Sequence, residues 1–203
     1  MRGEMMLLRL PCLRPFFGAM VLALGVGCVR PSTAAPPTAD VSLIAADGHR
    51  LETRELWSGA DWTVLVFISR DCPCVAAHDA RLRELAATFA SRGVRFFAID
   101  SELGGTPEIA AAEARTRQYP FPIVVDAGAH LADQLGAEYA THTVIMNRAG
   151  QVLYRGGIDS DKQSLHADAT MYLRDALTDL IAGKVPRVSE STALGCSLRK
   201  WAQ

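Results

Sequence analysis

The apolar run Val64-Leu65-Val66-Phe67-Ile68, the motif Cys72-Pro73-Cys74 just beyond it and the helical periodicity that opens at Val75 constrain this chain more than any other feature. A short continuous apolar run bounded by polar residues reads as a buried strand. Leu82, Leu85, Ala86 and Phe89 then recur at helical spacing, and Gly93 supplies the stop. The motif is therefore a strand-to-helix corner. Proline at the first helical position sacrifices no hydrogen bond, which makes Cys72 the exposed N-cap residue and sets Cys74 inside the first turn. Backbone N–H groups and the helix dipole favour a thiolate at that place, and the thiolate is the reactive form of cysteine. Arg70 would lower the Cys72 pKa and an ionised Asp71 would raise it, depending on which side chain points inward.

Strand and helix patterns alternate along the rest of the chain. Val41 to Ile44 and Arg50 to Thr53 flank Asp47-Gly48, a hairpin signal. Val94 to Ile99 reads as a strand, Thr106-Pro107-Glu108 opens an alanine-rich helix reaching Gln118, and Phe121 to Val125 is a further strand. His130 to Leu135 is a short helix. Thr143 to Met146 turns at Ala149-Gly150 into Val152-Leu153-Tyr154, and a last helix runs from Ala169 to Ala182 before Gly183. This alternation predicts an α/β sandwich.

The N-terminus predicts location. Arg2, Arg9 and Arg14 precede the apolar run from Phe16 to Gly27, which suits the core of a signal peptide and is short for a bilayer span. Cys28 follows, then the polar, proline-rich segment Arg30 to Thr38. Residues 1–27 are thus expected to be a signal peptide, Cys28 a lipidation site, 28–39 a flexible tether and 40–203 one folded domain. That places the domain in the bacterial cell envelope as a periplasm-facing lipoprotein held to the membrane by its lipid, or as a soluble periplasmic protein. Of the five cysteines, Cys72, Cys74 and Cys196 remain for the domain, an odd number that favours a working thiol over a closed disulfide framework. A net charge of −1 argues against a nucleic-acid partner.

The order hairpin, strand, cysteine motif, long helix, strand, helix, strand, hairpin and helix resembles the thioredoxin-like fold, in the branch that includes peroxiredoxins (alkyl hydroperoxide reductase and thiol-specific antioxidant proteins) and extracytoplasmic thioredoxin-like proteins. Val66 to Pro73, Tyr119 to Asp126, Leu153 to Asp159 and Ala193 to Leu198 carry the likeness, and Gly195-Cys196-Ser197 with Trp201 is similar to the C-terminal end of bacterial redoxin-domain proteins. The resemblance implies a three-layer sandwich with a central mixed sheet and helices on both faces. It also implies a thiol-dependent oxidoreductase acting through Cys72 on peroxide or on protein thiols and disulfides, with an external reductant. Ser69 stands where a peroxiredoxin has threonine, Leu65 where it has proline, and Thr141 near its arginine. Neither does Ala140-Thr141-His142-Thr143 contain the proline that faces the cysteines in thioredoxins.

Cys74 and Cys196 are the candidate partners of Cys72. A Cys72–Cys74 bond closes a small ring containing proline and would be strained, whereas the tail around Gly195 is free to bring Cys196 to the motif. Mild oxidation is therefore expected to join Cys196 to Cys72 or Cys74; the alternative is that Cys196 only staples the tail. No glycine-rich phosphate loop follows a strand, so no organic cofactor is expected. A rival reading is a copper or zinc chaperone. Cys74 and His78 share a helix face, Cys72 precedes them, and His142 lies in a loop ahead of a strand. A catalytically degenerate binding module is the other rival. His49, His130 and His166 have no partner pattern and are expected in solvent, the default also for His78 if it binds no metal.

Overall fold

The computed structural model describes residues 40–200; the segments expected to be signal peptide and tether, Cys28 among them, and Trp201 lie outside the described residues. β1 (Ser42–Ala45) and β2 (Arg50–Glu52) form the expected hairpin. It leads into α1 (Thr53–Ser58), an element that periodicity did not predict. A reciprocal capping box between Glu52 and Glu55 starts this helix, and Leu56 and Trp57 bury its inner face. Then come β3 (Trp62–Ile68), α2 (Pro73–Phe89), a 3-10 turn at Ala90–Arg92, β4 (Val94–Asp100) and α3 (Pro107–Arg117). β5 (Ile123–Val125), α4 (His130–Leu135), β6 (Thr143–Asn147), β7 (Val152–Gly156) and α5 (Tyr172–Ile181) complete the order. Among the described residues no helix is long and apolar enough to cross a membrane.

The seven strands make one mixed sheet in the order β2-β1-β5-β4-β3-β6-β7. β3, β4 and β5 are parallel, and β1, β6 and β7 join antiparallel. Every residue of β3 from Thr63 to Ile68 is buried, so both faces of this central strand are covered by packed layers. On edge strand β7, burial alternates between Val152, Tyr154 and Gly156 and the half-buried residues between them. The fold is the thioredoxin-like α/β sandwich that the order of elements implied.

Helix boundaries follow local chemistry. Pro73 begins α2, and Gly93, at φ 75°, ends the turn after it in the left-handed conformation that glycine adopts without penalty. Thr106 caps α3 by accepting the Ile109 N–H at 3.3 Å, with Pro107 next.

Beyond α5 the chain runs along the β7 edge, where Arg155 accepts from and donates to the backbone of Ser191 and Ser189. It then crosses the C-terminal ends of the central strands. There the Ala140 N–H donates to the Cys196 carbonyl at 2.8 Å and the Leu198 N–H to the Glu138 carbonyl at 2.9 Å. Arg199 finishes the crossing on Glu102, through its backbone N–H at 3.1 Å and its Nε at 2.7 Å, and Lys200 reaches Asp133 at 2.6 Å. The Glu102 side chain is wholly buried, so this ion pair neutralises a carboxylate that has left water.

Candidate redox site

Cys72 is the N-cap residue of α2, as the sequence indicated, with its N–H on the Ser69 carbonyl at 3.3 Å and its carbonyl accepting from Ala76 at 3.2 Å. The expected exposure is not observed: Cys72 is only 2% accessible, because the C-terminal tail lies over it. Cys72 and Cys196 form a disulfide across 124 residues, with a Cα–Cα distance of 5.9 Å inside the range such bonds require. Cys74 is a buried free thiol. The three sulfurs all lie within 4.8 Å of one another, so a helix corner and a distant tail converge on one cluster.

Close packing fixes this convergence. A Cβ added to Gly195 would stand 1.7 Å from the Ala140 carbonyl oxygen, so only glycine lets the tail approach that strand-leading segment. Thr141, next in the chain, is held at φ 72°, a conformation that costs a β-branched residue free energy. Its N–H donates to the Phe67 carbonyl at 2.8 Å, and the Phe67 N–H donates to the His142 carbonyl at 2.9 Å, which locks the loop to the end of β3. Ser69 is buried between that strand and the cysteine corner.

His78 is neither in solvent nor directed at the thiols. It is 1% exposed, with Nδ1 2.7 Å from the Cys74 carbonyl and Nε2 3.1 Å from Asp159. Both ring nitrogens are thus committed to structure, and the expectation of His78 as a metal ligand or a solvated residue is corrected. Burial alone would pull its pKa down, but the hydrogen bonds to Asp159 and to the Cys74 carbonyl outweigh it and raise the value. Burial likewise opposes ionisation of Asp159, yet His78, the Asp161 N–H and Arg81 together hold it below the ordinary range. The sequence reading missed Asp159 as a partner, although it closes the Gly156-Gly157-Ile158-Asp159 segment that carried the family likeness.

His142 also stands apart from the sulfur cluster. Its ring meets Phe67 edge-on at 6.1 Å, and its Nε2 is buried with no hydrogen-bond partner among the described residues. Burial, helped by the Arg155 charge, lowers its pKa to about 4. The four-residue ligand set of Cys72, Cys74, His78 and His142 is therefore not assembled; three cysteines are. His49 and His130 are exposed, and His166 is exposed while bonding Asp161 at 2.9 Å. Asp71 points outward to Arg199 at 3.4 Å.

Known structures share this architecture. A hypothetical protein from Sinorhizobium meliloti is 25% identical, with a TM-score of 0.75 over 85% of this chain and 96% of its own. An uncharacterized conserved protein from Geobacillus kaustophilus is 27% identical, with a TM-score of 0.74 over 84% and 92%. The peroxidoxin BcpB from Mycobacterium tuberculosis shares the fold at 20% identity, with a TM-score of 0.54 over 74% and 94%. No curated protein matches the chain. Residues 33–155, more than half of the chain, match the AhpC/TSA family; Cys72 and Cys74 fall inside the match and Cys196 beyond it. A buried helix-capping cysteine on a thioredoxin-like sheet and this family match lead to one conclusion: the chain belongs to the AhpC/TSA family of redoxins.

Proposed function

We propose that this protein is an envelope-facing thiol peroxidase in which Cys72 reduces a hydroperoxide and Cys196 resolves the product. The observation that carries the reading is the disulfide between the N-cap cysteine and the tail cysteine. A sulfenic acid needs a second thiol within reach, and the tail supplies one inside the same chain. In the first step the Cys72 thiolate attacks the terminal oxygen of the hydroperoxide, the O–O bond breaks, an alcohol or water leaves, and Cys72 becomes sulfenic acid. Cys196 then attacks that sulfur, the S–O bond breaks, water leaves and the disulfide forms. An external dithiol returns two electrons. Cys196 is half-buried whereas Cys72 is covered, so the incoming thiolate attacks Cys196 and expels Cys72. The α2 N-terminus stabilises that leaving thiolate.

Location belongs to the same proposal. The arginine-flanked apolar run into Cys28 supports export and lipid attachment, and residues 28–39 provide the tether. Metabolic labelling with a palmitate analogue tests it: label lost in Cys28→Ser supports the anchor, and an unlabelled mature chain beginning further along contradicts it.

A second reading is thiol–disulfide exchange with protein substrates, and one observation favours it. Thr141 occupies the neighbourhood where a peroxiredoxin places its peroxide-polarising arginine, and Leu65 replaces its proline. Stopped-flow turnover of hydrogen peroxide by the reduced protein, with dimedone trapping in Cys196→Ser, separates the two. Sulfenic acid at Cys72 supports the peroxidase. Its absence, together with rapid oxidation by a disulfide peptide, supports exchange.

A further inference from the structure

We propose that the reduced protein binds one Cu(I) ion through Cys72, Cys74 and Cys196. The disulfide explains two of the three sulfurs in the cluster; it does not explain why a third thiol, Cys74, is buried among them. Nor does the redox cycle proposed above use Cys74. A metal bond to sulfur of about 2.3 Å spaces the sulfurs of a site roughly 4 Å apart. Here all three lie within 4.8 Å of one another, while two of them are drawn together by a bond. Opening that bond lets Cys72 and Cys196 separate toward the spacing a shared ion requires, with the backbone on both sides still fixed by the Ala140 and Ser69 hydrogen bonds.

The donor set selects the ion. Soft thiolates favour Cu(I), Zn(II) and iron–sulfur clusters. Zinc in structural sites takes four ligands, and the described residues supply three sulfurs and no fourth cysteine, histidine or carboxylate to the cluster. His78 is committed to Cys74 and Asp159. Three sulfurs suit Cu(I) in trigonal coordination. Loading is balanced: a dithiol gives two electrons and two protons to the disulfide, and Cu(I) then displaces the three thiol protons to solvent. The assembly is anionic and sits at the N-terminus of a 17-residue helix, where the dipole favours negative charge. The oxidised protein, with two of its three ligands bonded to each other, has no such site. The inference rests on the redox reading only in requiring that the Cys72–Cys196 bond opens.

The test uses the full-length chain carrying Cys12→Ser and Cys28→Ser, so that three thiols remain. Protein reduced by a phosphine, freed of it and kept anaerobic is titrated with Cu(I) against bicinchoninate, and the copper environment is read by X-ray absorption. We expect one equivalent bound, three sulfur neighbours and no nitrogen, and a Cys74→Ala variant that holds copper at least about tenfold more weakly with two sulfurs. The oxidised protein should take up none. Equal affinity in Cys74→Ala, a nitrogen neighbour, uptake by the oxidised form, or preferential retention of Zn(II) over Cu(I) each overturns the proposal. Should Cys74→Ala fail to fold by circular dichroism, Cys74→Ser and the sulfur count of the parent decide. Failure of the redox reading appears separately, as no disulfide formed when peroxide meets the copper-free protein.

Discussion

Replacing Gly195 by alanine tests how the tail presents its cysteine. The new Cβ would stand 1.7 Å from the Ala140 carbonyl oxygen, where ordinary contact begins at 3.4 Å, so the tail must retreat by about 1.7 Å. A retreat of that size breaks the 2.8 Å bond from the Ala140 N–H to the Cys196 carbonyl. Where it carries Cys196 away from Cys72, it also stretches their 5.9 Å Cα–Cα separation beyond the roughly 7 Å at which a disulfide closes without backbone movement. Misplacement of a reacting group by an ångström or more costs about 100-fold in rate. We therefore expect Gly195→Ala to form sulfenic acid at the parent rate and to close the disulfide about 100-fold more slowly. The variant should lose about 1–3 kcal/mol of stability from the same overlap. Rapid-quench alkylation with mass analysis follows both steps after a single peroxide addition. Disulfide closure at the parent rate in Gly195→Ala would refute the argument that this glycine sets the position of Cys196.

Reduction of the disulfide should lower stability by up to about 5 kcal/mol on the chain-entropy account, because it releases a loop of 124 residues; urea melts with and without a phosphine measure this, and coincident curves contradict it. His142 is pulled down to about 4, first by burial and then by Arg155, so between that value and about 6.5 the unfolded chain binds more protons. Stability should accordingly fall by about 3 kcal/mol as pH drops through this window, and His142→Leu should flatten the dependence. His78 acts with the opposite sign: its raised value gives stabilisation that is full below about 6.5 and fades as pH climbs through the folded value, and His78→Gln should remove that alkaline decline. Arg199→Ala removes the partner of a buried carboxylate and frees the end of the tail, so it should slow disulfide closure while sulfenic acid forms at the parent rate; equal slowing of both steps would contradict a role for the Arg199–Glu102 pair in holding the tail.

Local chemistry made much of this fold legible. A strand ending at Ile68, a proline at the first position of α2, Thr106 ahead of Pro107 and Gly93 after Arg92 are signals that need no knowledge of distant residues. α1 escaped because six residues hold too little periodicity, and its capping box uses Glu52 in place of the usual serine or threonine. What the site required was long-range. Cys72 read as exposed since nothing near it in sequence covers it; its cover comes from a segment 124 residues away. His78 read as solvated or as a ligand because its partner, Asp159, is 81 residues distant and joins it only through packing of α2 against the loop after β7. Two of the positions that fix the tail, Glu102 and Ala140, carry no motif and become visible through burial and hydrogen bonding alone.

The central claim is that Cys72 and Cys196 are the redox couple. Its most direct measurement is disulfide mapping by mass spectrometry after one equivalent of hydrogen peroxide is added to the fully reduced protein, with dimedone present in a parallel sample of Cys196→Ser. The account predicts a Cys72–Cys196 bond in the parent and a dimedone adduct on Cys72 in the variant. A bond confined to Cys72 and Cys74, with normal turnover in Cys196→Ser, would contradict it and leave the tail cysteine a staple.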